Sequence, residues 1–241
     1  MTNGRFLYHE DAYLREAPGR VTAHTPEGGV IVDPPLFYPK GGGQPGDSGW
    51  IEWDGKSMPV ATAVKAEDRL ASVLVPSEPM GLPPVGAHVL QVLDWDRRHR
   101  HMRVHTALHL LSVIIALPVT GGQIAAQGGR LDFLMPEPPT DREGIEDALN
   151  ALVDRDLEVS EGWIAEEELD ARPELVKTMS VKPPRGMGKV RLVRIGNGTE
   201  QIDLQPCGGT HVARTGEIGT LTLGKIENKG KQNRRVNISL S

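Results

Sequence analysis

The stretch DRRHRHMRVHTALHLLSVIIAL, Asp96 to Leu117, is where the character of the chain changes. Apolar residues recur in it at Val104, Ala107, Leu108, Leu111, Ile114 and Ile115, the spacing of one helix face. Asp94 or Asp96 stands where a helix N-cap belongs, and Pro118 with Gly121-Gly122 ends the pattern. Upstream, residues 1–90 are rich in Gly and Pro and hold short β-type runs: RVTAHT, GGVIVD, SGWIEWDG and ASVLVP. Alternation with turns at short intervals predicts a small antiparallel sheet or barrel. The surface connection PSEPMGLPPVG, residues 76–86, puts a domain boundary near residue 92. Downstream, QIAAQGGRLDFLMP reads as strand and turn. Thr140 to about Ser160 reads as a second amphipathic helix, striped by Ile145, Leu149, Leu152, Val153 and Leu157. GKVRLVRIG, QIDLQP, GEIGTLTLGKIENKG and RRVNISL follow as strands. The expected fold class is α+β: a glycine-rich, barrel-like β domain over 1–92, then helices packed on an antiparallel sheet over 93–241.

Apolar residues make up 38% of the 241 and aromatics only 4%, so the core must rest on aliphatic side chains. One cysteine excludes an internal disulfide and fits a reducing cytoplasm. No run of 18 apolar residues is present, so no membrane helix is expected, and MTNGRFLYHEDAYL does not read as a signal peptide. The formal net charge of −5 is unevenly spread: residues 141–170 hold twelve acids against two arginines, leaving the remainder positive. Basic residues gather at 97–103, 182–194 and 225–235. Such clusters are either solvated surface or a footprint for phosphate backbone.

His101, His105 and His109 follow one another at intervals of four, on one helix face. One ion reaches two neighbours but not the outer pair, about 12 Å apart along the axis. His101 lies in the basic cluster and is expected at the surface. The residue after His105 is Thr106, so the H-E-x-x-H pattern of a zinc peptidase, with its general base, is absent. The lone Cys207 lies in LQPCGGTH, 204–211, where two glycines let the backbone turn and His211 follows four positions on. H-x3-H and C-x3-H together make a candidate zinc site of three nitrogens and one sulfur: His105, His109, Cys207 and His211.

HTALHLL (105–111), RLDF (130–133), CGGTHVARTGEIG (207–219) and the N-terminal YPKGGGQPGDSG (38–49) resemble the editing domain of alanyl-tRNA synthetase and its free-standing relatives, the AlaX-type editing proteins. Leu108 stands where that family often has threonine. The signatures of the ATP-activating domain are absent. The resemblance implies a hydrolase that deacylates tRNA(Ala) mischarged with serine or glycine, with zinc on His105, His109, Cys207 and His211. It also implies that Thr106 recognises the serine hydroxyl; bonding back to its own helix is the alternative reading.

An apolar synthetic pocket rejects an added hydroxyl poorly, which gives a second, hydrolytic site its purpose. Zinc activates water and polarises a carbonyl, although four protein ligands are the closed, structural pattern. His211, beside Gly208 and Gly209, is the candidate for a mobile ligand. Gln127 and Asp132 lie in a segment expected to approach the site, with Asp132 alternatively anchoring Arg130. KGGGQPGDSG lacks the phosphate-loop pattern and reads either as a turn or as a substrate contact through Gln44. Arg97, Arg98, Arg100, Arg103, Lys229, Lys231, Arg234 and Arg235 are candidate contacts to tRNA phosphates, with Arg103 alternatively an internal ion-pair partner. Two other readings stand: another zinc-dependent ester or amide hydrolase, and a non-catalytic RNA-binding module with structural zinc.

Overall fold

The computed structural model describes residues 5–67, 71–177 and 188–241. The chain forms two compact units, Met1–His101 and Met102–Ser241. The division falls inside a helix.

The first unit opens with a short helix, α1 (Leu7–Glu10), and is built on six strands: β1 (Glu16–His24), β2 (Val30–Asp33), β3 (Gly49–Trp53), β4 (Lys56–Lys65), β5 (Ser72–Pro76) and β6 (His88–Leu93). They close into an antiparallel barrel in the order β1-β2-β5-β4-β3-β6. Alternation drives it: in β3, Gly49, Ile51 and Trp53 face inward while Trp50 and Glu52 face out. The interior is filled by Val21, Val30, Val32, Leu36, Phe37, Ile51, Met58 and Leu74. The four sequence runs match β1, β2, β3 and β5. Strands β4 and β6 were not expected, because Pro59 interrupts the first as a pattern and the polar Gln91 interrupts the second. Gln91 is fully buried because its partners are built in: it accepts from Leu36 N–H at 3.1 Å and donates to the Pro34 carbonyl at 2.9 Å.

The glycine-rich segment is a turn folded against this barrel. Gly42 and Gly43 take positive φ, 58° and 83°, and a Cβ at Gly46 would lie 2.0 Å from the Ala63 carbonyl oxygen. Asp47 at its end is buried and accepts from Tyr38 N–H at 2.6 Å and from Arg98 Nε at 2.8 Å. Arg98 also donates to the carbonyls of Ala12 and Leu36, both at 3.0 Å, and is completely buried. Arg98 belongs to α2 (Trp95–Ile114), whose start is capped by Asp94 Oδ1 accepting from Arg97 N–H at 3.2 Å.

The second unit contains two antiparallel sheets. β7 (Val119–Ile124), β8 (Gly128–Leu134), β12 (Leu221–Asn228) and β13 (Asn233–Leu240) form one, in the order β12-β13-β8-β7. β9 (Val159–Ala165), β10 (Lys189–Ile195) and β11 (Asp203–Pro206) form the other, in the order β11-β10-β9. Helix α2 lies on the four-stranded sheet, where Gly129 leaves room for Val104 and Leu108; a Cβ there would meet them at 2.8 and 3.0 Å. Helix α3 (Arg142–Asp154) is capped by Asp141 accepting from Gly144 N–H at 2.8 Å. It is shorter than the expected span to Ser160: Asp156 adopts φ +47°, and Val159 and Ser160 already belong to β9. The expected stripe is buried at Leu149, Leu152 and Val153, and Leu157 is buried just beyond the helix. A short α4 (Glu166–Asp170) follows β9. No described helix is long and apolar enough to cross a membrane.

Replacing Arg98 by Met leaves Asp47 as a buried, unpaired carboxylate. Such a lesion costs about 3–5 kcal/mol, and the urea midpoint of the variant should fall accordingly. An unchanged midpoint would mean that the pair contributes nothing to stability.

Candidate metal centre

His105 and His109 lie one turn apart on α2. The chain leaving β11 brings Cys207 and His211 against them. The donor atoms of the four side chains all lie within 4.8 Å of one another. Cys207 Sγ is 3.4 Å from His105 Nε2 and 3.3 Å from His211 Nε2. The imidazoles pack together, with centroids 4.1 Å apart for His105–His211 and 4.6 Å for His109–His211. All three rings are buried, whereas Cys207 is half-buried and the adjoining Gly208 is exposed.

Each outer nitrogen that can be followed has a partner. His109 Nδ1 is 3.0 Å from Asp203 Oδ2. That carboxylate also meets Lys177 Nζ at 2.6 Å and Gln205 Nε2 at 2.7 Å. His211 Nδ1 is 3.1 Å from the Thr106 hydroxyl. The hydroxyl donates to the Met102 carbonyl at 3.0 Å, so it accepts from His211 Nδ1–H and from Val212 N–H at 3.3 Å. With Nδ1 of both rings committed as donors, Nε2 of each carries the free lone pair. Thr106 thus bonds back to its own helix and holds His211. With its proton and both lone pairs used and the residue fully buried, it has nothing to offer a serine hydroxyl.

The Cys-Gly-Gly turn is clamped rather than loose. Arg191 of β10, only 4% exposed, donates to the carbonyls of Cys207 at 2.8 Å and Gly209 at 2.9 Å. Its Nε donates to Glu161 at 3.1 Å. Backbone freedom at Gly208 and Gly209 allows the turn, and Arg191 and Thr106 then hold it.

The electrostatics divide the cluster: Cys207 and His211 are held deprotonated, whereas His109 keeps its proton. Burial alone would raise the Cys207 thiol, but the neighbouring imidazoles of His105 and His211 hold it well below its usual range. Burial, reinforced by His105, keeps His211 neutral, well below the usual imidazole value. For His109 burial opposes the charge, yet the hydrogen bonds and charges of Asp203 and Cys207 lift its pKa to about 9. Burial would raise Asp203, but His109 and Lys177 bring it down to about 2.

Other expected residues are placed differently. His101 is buried, not at the surface; burial first, then Arg97, lowers its pKa to about 4. Asp132 and Arg130 lie on the face of β8 opposite the inward-facing Leu131 and Phe133, so Asp132 points away from α2. It anchors Arg130 at 3.0 Å and Arg235 at 2.8 Å. Gln127 is exposed in the turn between β7 and β8, outside the cluster's hydrogen bonds. Gln44 is buried in the barrel unit, in a turn whose backbone pairs Gly41 with Gln44. Of the basic candidates, Arg98 is consumed by Asp47, Arg235 by Asp132, and Arg103 by the Ile218 carbonyl at 2.9 Å rather than by an acid. Arg234 donates to Asn228 Oδ1 and to the carbonyls of Gly230 and Pro136. Arg97 is half-buried, while Arg100, Lys229 and Lys231 are exposed. The basic run 182–194 lies outside the described residues over 182–187. Asp203, Gln205, Lys177 and Arg191 were missed by sequence reasoning. For Asp203 and Gln205 a signal existed: they alternate onto one face of β11, the strand that leads directly into the cysteine turn.

Residues 190–237, which include Cys207 and His211, match the family model described as the threonyl and alanyl tRNA synthetase second additional domain. The alanyl-tRNA editing protein AlaX-M of Methanosarcina acetivorans is 33% identical over 97% of this chain and 98% of its own length. The protein of that name from Saccharolobus solfataricus is 35% identical over 95% and 96% respectively. The alanine–tRNA ligase of Pyrobaculum neutrophilum is 33% identical over 92% of this chain, which spans 25% of the ligase. A match this long takes in the barrel as well as the histidine–cysteine cluster, and on it the chain belongs to the family of AlaX-M alanyl-tRNA editing proteins.

Proposed function

We propose that this protein hydrolyses the ester of mischarged tRNA(Ala), chiefly Ser-tRNA(Ala) and also Gly-tRNA(Ala), at a zinc site formed by His105, His109, Cys207 and His211. One observation carries the reading: four donors of the right chemistry converge in a chain of this family. Tetrahedral zinc with Zn–N near 2.0 Å and Zn–S near 2.3 Å spaces its ligands about 3.3–3.6 Å apart. The sulfur lies 3.4 and 3.3 Å from two of the nitrogens. When bound, zinc supplies a Lewis acid that polarises a carbonyl and acidifies water.

The chain's own part is positional. Thr106 and Asp203 hold two imidazoles in the tautomer that leaves Nε2 free. Arg191 fixes the Cys207 turn. The half-buried Cys207 and exposed Gly208 mark the side on which the cluster meets solvent, and a tRNA 3′ end reaches it there. Arg97, Arg100, Lys229 and Lys231 remain to meet tRNA phosphates; they position the substrate and read no sequence. Four protein ligands also suit a purely structural metal, and that second reading predicts an RNA-binding protein without deacylase activity.

Purified Ser-tRNA(Ala), Gly-tRNA(Ala) and Ala-tRNA(Ala) distinguish the two. Rapid loss of serine, slow loss of alanine, abolition by metal stripping and recovery on adding zinc are expected. Folding and tRNA binding without zinc-dependent loss of either serine or glycine would establish the structural alternative.

Zinc must displace the proton that His109 holds up to about pH 9. Apparent zinc affinity should therefore rise with pH from 7 and flatten near 9, with about one proton released per ion near neutrality. Calorimetry in buffers of different ionisation enthalpy reads that proton. Absence of release would mean that His109 is already neutral in the metal-free protein, or is not a ligand.

Replacing Lys229 and Lys231 together by Ala should weaken tRNA binding and lower the salt slope by about two. An unchanged slope would remove the hairpin from the tRNA interface.

A further inference from the structure

We propose that Asp203 and Lys177 are positioning residues that make His109 the anchored ligand of the metal centre, with His211 held more weakly. The proposal rests on the zinc reading above. A histidine ligates well only when its ring is fixed with one nitrogen aimed at the ion, and the partner of the other nitrogen does that fixing. The partners of the two rings differ in kind.

His109 Nδ1 meets a carboxylate at 3.0 Å, and that carboxylate is itself immobilised. Lys177 Nζ holds its Oδ1 at 2.6 Å, and Gln205 Nε2 holds Oδ2 at 2.7 Å. Gln205 is steadied in turn by Ser112 Oγ at 3.4 Å, one turn beyond His109 on the same helix. Asp203 is 2% exposed, and a buried carboxylate needs this compensation. Lys177 supplies the only full positive charge bonded to it among the described residues apart from His109 itself. Among the described residues, His211 Nδ1 meets only the neutral Thr106 hydroxyl, at 3.1 Å. A charge-assisted hydrogen bond is about twice as strong as a neutral one, and it pushes electron density onto the ring, making Nε2 the better donor. Neither Asp203 nor Lys177 reaches the metal position; both act through His109.

The test uses the full-length zinc protein and reads zinc affinity by competition with a chelator. Asp203→Asn should weaken zinc about 10–100-fold. Lys177→Met should weaken it in the same direction, and Lys177→Arg should restore it. Thr106→Val should stay below the about tenfold lower edge of that range. Cobalt substitution supplies a second readout: the ligand-field bands should shift in Asp203→Asn and Lys177→Met, with the sulfur charge-transfer band kept. Thermal midpoints of the metal-free proteins separate positioning from folding, and Lys177→Met covers the case in which Asp203→Asn does not fold. Wild-type affinity in both Asp203→Asn and Lys177→Met would overturn the proposal, as would a larger loss in Thr106→Val than in Asp203→Asn. A wild-type protein that binds no zinc at all fails the zinc reading instead.

Discussion

Four lone pairs pointed at one place do not stay there by themselves. Three imidazole nitrogens and a thiolate within 4.8 Å of one another make no strong bonds among themselves, so the surroundings must hold them. The second unit supplies that restraint from several directions. α2 fixes the pitch between His105 and His109. β10 sends in Arg191 to grip the carbonyls of the Cys-Gly-Gly turn. Thr106 stitches His211 and Val212 to the helix, and Asp203 reaches across from β11 to His109. Helix, strand and turn are interlocked by polar groups buried deeply enough that each must find its partner.

The four candidate donors that the structure brings together were legible in the sequence because metal chemistry restricts residue type and spacing so strongly. A histidine pair at helical interval and a cysteine with two glycines and a histidine are short-range patterns. The fold class was legible for a similar reason, since the change from alternating to helical periodicity near Asp96 is a local signal. What could not be read was compensation. Arg98 and His101 sit in a run that looks like a solvated basic surface, yet both are buried, Arg98 against Asp47, a partner some fifty residues away that the sequence does not show. Arg235, likewise, looks like a free cation until Asp132 is placed across the sheet from it. Each basic cluster was counted as charge, whereas the structure spends much of that charge internally.

The same logic explains the errors at the elements. The polar Gln91 hid β6, yet it is the residue that fastens the 34–36 segment to the barrel. The stripe of α3 was followed too far because Leu157 continues the apolar rhythm. The left-handed backbone at Asp156 had already turned the chain into β9. In both places periodicity was outvoted by a single residue whose contacts are long-range.

Gly129 carries one more consequence. Where a side chain would otherwise stand, Val104 and Leu108 occupy the space, at 2.8 and 3.0 Å from the Cβ that is missing. Strand and helix there share a fixed allotment of volume, and the helix is the one that bears the histidines. Leu108 stands where the family often has threonine, so this chain has put bulk on the helix beside a strand position that has none. The Gln123 carbonyl oxygen closes the same space at 3.0 Å, so a side chain at 129 would have to displace both the histidine-bearing helix and the neighbouring strand.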